Sequence, residues 1–197
     1  MQKDHLPDHA FWRFIMKTHE TDLAHKILQP LQAISTLQIN LLLFCCWFAQ
    51  AGQGRLNKQD VQALIVATAS WHDRIILPLQ KLQSQIIALQ LNDLADTIAD
   101  ELQYAEHIEQ LMLIDVPVKF TRTSRTPSQK LNDACKNIAV YCKTAHIFLS
   151  NASCENIFHL LATVFPRIDL NELRKTCQAI LLSEAAQPAS QGRLILD

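Results

Sequence analysis

Glycine is nearly missing from this chain, with three residues in 197. The motifs that depend on it are missing too: no Gly-rich phosphate loop and no Gly-x-Ser-x-Gly elbow occurs. Neither His-Glu-x-x-His nor Cys-x-x-Cys is present, so the two commonest short zinc signatures are excluded. An excess of one charge is also lacking. Eighteen basic residues against nineteen acidic ones leave a formal net charge of -1, which gives no global attraction to nucleic acid or anionic membrane. Runs of β-branched residues are rare, whereas Leu, Ala, Gln, Glu and Lys recur, and this balance favours helix over strand almost everywhere. Hydrophobic residues make up 49% and charged residues 19% of the chain, too apolar for a disordered polymer.

Charge is absent altogether from Ile27 to Gly54, and Leu41 to Ala49 is apolar without interruption. A membrane-spanning helix needs roughly 20 apolar residues. This run is shorter, bounded by Gln38 and Asn40 before it and by Gln50, Gly52 and Gln53 after it, so no membrane span is expected. A short helix apolar on every side is instead predicted to be the central rod of a bundle, sheathed by amphipathic neighbours and stopped at Gly52. The segment from Met1 to His9 carries charges and Pro7, without the apolar stretch and small-residue cleavage site of a secretory signal. A cytoplasmic protein is therefore expected. Its six cysteines, two of them adjacent (Cys45 and Cys46), are read as reduced core thiols, because most fall on apolar helical positions.

Helical periodicity runs through the rest. Phe11, Trp12, Ile15 and Met16 share a face after Pro7, and Leu23, Ala24, Ile27 and Leu28 follow before Pro30. Asn57 with Asp60 resembles a capped start for Val61, Leu64, Ile65 and Trp71, and Pro78 marks the next predicted boundary. Asn92 is a candidate cap for a helix to about Leu113, with Asp93, Asp96, Asp100 and His107 turned to water. Residues 116–129, with Pro117, Pro127 and several basic side chains, have the composition of a linker. Beyond it Leu131, Cys135, Ile138, Cys142, Ala145 and Leu149 keep heptad spacing, Ser153 is a candidate cap for the next helix, and Asp169 with Glu172 opens a last one.

The expected architecture is all-α: a helical bundle over 7–115 around the central apolar helix, a basic linker over 116–129, a three-helix C-terminal extension over 130–186, and a mobile tail over 187–197.

Few residues suggest chemistry. Asp93, Asp96 and Asp100 with Glu101 look like a magnesium-binding acidic helix, but no second acidic helix exists to face them, so a solvated face is preferred. Cys142 and His146 lie one turn apart, yet Cys142 belongs to the heptad stripe and packing is preferred. No metal and no cofactor is expected. The basic stretch from Lys119 to Lys130 carries only Phe120 as an aromatic, so nucleic-acid binding is disfavoured. Sharper are Glu101 and Glu109, which flank Ala105 within the apolar side of their helix. An inward carboxylate must find a donor, and His72, Arg74, Trp71 and Arg13 are the candidates. A structural clamp is preferred there to a ligand site.

Phe11-Trp12, Asn40-Leu41-Leu42-Leu43-Phe44 with Trp47 and Ala49, Trp71 with Pro78-Leu79, and Ala105-Glu106 with Glu109-Gln110 occur in one order over about residues 11–113. This set resembles an uncharacterised family of small all-helical bacterial proteins carrying a domain of unknown function. The resemblance implies a helical bacterial protein and brings no activity or cofactor with it. Ser35 and Thr36, and Gln80 and Lys81, depart from the family pattern, and the chain from Gln129 onward lies outside it.

The resulting expectation is a non-enzymatic protein that binds another protein, as an adaptor, chaperone or assembly subunit. Its docking stripe would be Leu131, Cys135, Ile138, Cys142 and Leu149. The competing expectation is an enzyme or small-ligand binder with a polar cavity around Glu101 and Glu109.

Overall fold

A computed structural model describes residues 7–19, 22–32, 34, 36–119 and 124–182, and all regular structure among them is helical. The tail expected from residue 187, and Phe120 and Arg122 of the expected linker, lie outside the described residues. Chain order gives α1 (Ala10–His19), α2 (Asp22–Gln32), α3 (Ile39–Gln50), α4 (Lys58–Trp71), α5 (Leu77–Ala88), α6 (Asn92–Asp115), α7 (Pro127–Thr144), α8 (Asn151–Val164) and α9 (Leu170–Cys177). Two π-helical turns extend this set, His72–Ile76 between α4 and α5 and Gln178–Leu182 after α9.

Burial, more than capping, holds α3. Gln38 at its N-cap makes no side-chain capping bond. Asn40 to Cys46 are buried in succession, as are Phe48 and Ala49, and α1, α2, α6, α7 and α8 all pack against it. Each fully buried Leu or Phe contributes about 1.5–3 kcal/mol, which outweighs a missing cap worth about 1 kcal/mol. At the other end Gly52 takes φ 79°. Gln53 N–H donates to Phe48 O and Gly52 N–H to Ala49 O, the bond pair of a Schellman stop.

One buried core runs from Phe11 on α1 to Leu181 after α9. It includes the heptad residues Leu131, Cys135, Ile138 and Cys142, each at most 1% exposed, while Leu149 is half-buried against it. The stripe expected to receive a partner is therefore covered by the chain's own helices, because α7 lays it on α3 and α4 and meets α9 as well. Polar contacts fix the same interface. Asn137, fully buried, accepts from Leu56 N–H at 2.8 Å and donates to Cys45 O and Gly54 O, each at 3.3 Å. Asp133, equally buried, lies 2.8 Å from Arg55 Nε and 2.8 Å from Arg125.

The boundary expected at Pro78 does not break the chain. α4 continues through the π turn into α5, and Leu77 N–H reaches back to His72 O. Proline in a regular helix clashes with the carbonyl four residues earlier and lacks an N–H. The wider π turn just before Pro78 relieves that clash without ending the helix. Two expected caps also move by a few residues. Leu91, not Asn92, precedes α6, because the α5 stop already uses Leu91 N–H, bonded to Ile86 O. Ser150, not Ser153, caps α8, its Oγ accepting from Ser153 N–H at 3.1 Å. Asn57 and Asp60 form the reciprocal capping box at the start of α4.

A candidate functional site at the meeting of α3, α6 and the π turn

The polar cluster gathers where the apolar α3 meets the inner face of α6 and the π turn. Asn40 is near the N-terminus of α3, where the first turn has free backbone donors and no side-chain cap. Its Nδ2 donates to Glu109 Oε2 at 2.7 Å and more weakly to Glu106 O at 3.4 Å, while its Oδ1 accepts from Gln110 Nε2 at 3.1 Å. His72 opens the π turn, and its Nδ1 lies 2.9 Å from Glu109 Oε1. A carboxylate oxygen accepts, so Nδ1 is the protonated nitrogen of that imidazole. Both oxygens of Glu109, a residue only 1% exposed, are thereby matched to donors. Trp71 Nε1–H donates to Ala105 O at 2.9 Å and locks α4 against α6 beside the cluster.

Of the residues expected inward, His72 and Glu109 are buried together with Trp71 next to them, whereas Glu101 and Arg74 are exposed. Arg13, another candidate donor, pairs with Asp8 at 3.1 Å. The correction for Glu101 has a geometric cause. The early part of α6 lies against α5, while its later turns also meet α3 and the π turn, so the inward arc widens only towards Glu109.

Asn40, Gln110 and Glu106 belong to the motifs that carry the family resemblance, but they were not expected in the inward polar cluster. Asn40 had left a signal, as a polar residue inside the longest uncharged stretch. Glu106 is pushed up to about 7 by burial, with Glu109 beside it adding repulsion and His72 opposing.

A second aromatic cluster corrects the placement of His107 on the watery face. Trp12 stacks on its ring at 4.1 Å between centroids and 3° from parallel, and His9 lies 5.4 Å away. His9 Nδ1 accepts from Trp12 N–H at 3.0 Å, so Nε2 carries the proton of the neutral ring. Burial lowers the pKa of both imidazoles, and their Nε2 atoms make no hydrogen bond among the described residues.

Chemically, the His72–Glu109–Asn40–Gln110 network is buried and satisfied at Glu109, while Gln110 Oε1 makes no hydrogen bond among the described residues. No group of three or more metal-ligating side chains comes together among the described residues. Two cavities among the described residues lie elsewhere: about 270 Å³ between α8 and α9, and about 530 Å³ lined from α1, α7 and the α8–α9 junction. No helix among the described residues is long and apolar enough to cross a membrane. The six cysteines are free thiols, five of them buried.

Residues 10–113 match the family described as a protein of unknown function, DUF2390. No curated protein matches the chain, and no solved structure does. The match takes in α1 to α6 and with them the whole buried polar cluster; the chain belongs to the DUF2390 family.

Proposed function

We propose that this DUF2390 protein is a non-enzymatic interaction protein of the bacterial cytoplasm, an adaptor or assembly subunit, that docks through the free end of its α5–α6 hairpin. One observation carries the reading. Four of the ten large hydrophobic side chains exposed among the described residues, Ile87, Leu89, Leu91 and Leu94, crowd the turn that joins α5 to α6, with Leu89 at 69% and Ile87 at 57%. The heptad stripe on α7 is buried and so supplies no such surface. On this reading α3 is the central rod, the helices beyond residue 126 close its open side, and the hairpin is the part left for another molecule.

The partner's chemistry follows from charge. From Leu82 to Val118 every formally charged residue is acidic, and Asp93, Asp96, Asp100 and Glu101 are all exposed on α6. A leucine-rich tip beside an acidic helix face suits a basic amphipathic helix of another protein, its apolar stripe on the leucines and its lysines or arginines on the carboxylates.

The test is a photo-crosslinking residue at Leu89 in the native cell, with one at Lys58 for comparison. A discrete adduct to one basic protein, specific to Leu89 and weakened by Asp96→Lys together with Asp100→Lys, is the expected result. Equal labelling from both positions, or an adduct indifferent to those charge reversals, would reject it.

A further inference from the structure

The larger of these two cavities, about 530 Å³, is lined by Lys17 on α1, Arg125 and Lys130 at the start of α7, and Arg167 after α8, with no carboxylate among the described residues of its wall. In a chain of net charge -1, four cations gathered on one concavity depart sharply from the average surface. Two are partly offset. Lys130 Nζ donates to Gln50 O at 3.0 Å, at the carbonyl end of α3, and Arg125 shares Asp133 with Arg55. Two guanidinium groups on one carboxylate still leave a positive surplus, and Arg125 Nε is buried without a hydrogen-bond partner among the described residues. The positive end of α7 adds to the same field, since Thr126 and Pro127 begin that 18-residue helix. Phe14, Val164, Phe165 and Ile168 give the wall an apolar side, and Thr18, Gln50 and Thr163 add uncharged polar groups.

We propose that this cavity binds a small phosphorylated molecule, its phosphate among Lys17, Arg125 and Arg167 and its flat or apolar part against Phe14 and Phe165. The volume is that of a small-molecule site, and guanidinium groups match phosphate oxygens in a forked geometry that an ordinary surface lysine lacks. Concavity favours a small ligand over an extended nucleic-acid strand, whose binding needs an open groove with successive stacking aromatics. The site is built jointly by α1 and by helices beyond the family match, so it is a property of this chain and not of the hairpin reading.

Calorimetric titration of the whole protein with inorganic pyrophosphate and with AMP tests it. Saturable binding of both is expected, tighter for AMP, and Lys17→Glu and Arg167→Glu are each expected to weaken it at least tenfold. Both side chains are exposed, so folding, checked by circular dichroism, survives the changes, and Lys175→Glu on α9 serves as a charge control with unchanged affinity. Failure of both probes to bind at millimolar concentration overturns the proposal. So does an affinity indifferent to the two cavity variants, or one lowered equally by Lys175→Glu.

Discussion

Glu109 and Glu106 occupy adjacent turns of one helix and respond to opposite needs. Glu109 has two donors that have no other acceptor of equal quality nearby, so Glu109→Ala strands Asn40 Nδ2 and His72 Nδ1 in the core. A loss of about 3 kcal/mol is expected, read as a lower urea midpoint with an unchanged slope, while Glu109→Gln, which keeps one acceptor, loses less. Glu106 instead holds its proton more tightly folded than unfolded, with a pKa of about 7 against an ordinary 4.5. Its contribution to stability is full below 4.5 and lost as pH rises through 7. Glu106→Gln should therefore raise the melting temperature at pH 8 and leave it nearly unchanged at pH 4.5. His9 and His107 act in the other direction: their lowered pKa values keep stability full above 6.5 and remove it as pH falls. Replacing His107 with Phe, which preserves the stack on Trp12, should flatten the acid side of the stability profile in thermal melts between pH 4 and 7. At this scale the sequence was partly legible. Glu109 stood out because its position within the apolar arc demanded a donor. Glu101 misled because the wheel treats a helix as equally covered along its length, and His107 because a wheel drawn for α6 alone cannot know that Trp12 arrives from α1.

Three helices end in the same bond pattern, and glycine serves only one. α3 stops at Gly52. α5 stops with Gln90 at φ 58° and α7 with His146 at φ 54°. In each case the following N–H bonds back across the last turn, Leu91 to Ile86 O and Ile147 to Cys142 O. A residue with a Cβ is strained in the left-handed region by roughly 1–2 kcal/mol, so Gln90→Gly and His146→Gly should each stabilise the fold by about 1 kcal/mol in denaturant titration. Both side chains are exposed, which leaves little packing to lose. This explains which boundaries the sequence revealed. Gly52 and the Asn57–Asp60 box announce themselves by residue type, whereas a stop made by Gln or His has no compositional mark. Pro78 announced a boundary that the π turn then absorbed.

The family segment and the chain that follows it share one hydrophobic core, and the polar contacts between them are specific. Tyr141 Oη accepts from Gln38 N–H at 2.7 Å, so α7 supplies the acceptor that the start of α3 does not find in its own side chains. A fragment ending at residue 119 would expose the face of α3 that α7 covers, and would leave Leu56 N–H without Asn137 and Arg55 without Asp133. Such a fragment is expected to lose cooperative thermal unfolding and to bind a hydrophobic dye, and a sharp melt comparable to the full chain would contradict this. Helical class and the buried character of Leu41 to Ala49 were readable from the sequence, because an uncharged apolar run has few places to go in water. Which stripe packs on which was not. A heptad of Leu, Cys and Ile fits the chain's own apolar helix as well as a foreign one, and only the positions of Asn137 and Asp133, polar residues on the inner side of α7, hinted that α7 faces a surface with matching groups.

The π turn gives the hairpin a mechanical link to the protein's interior. From His72 to the tip at Leu89 the backbone is one unbroken helical rod, ~25 Å long at helical rise, stiff except at the single widened turn where His72 meets Glu109. A sideways load applied to the leucines at its far end has nowhere softer to concentrate, so the strain of engagement would be felt first at a buried imidazole and its carboxylate.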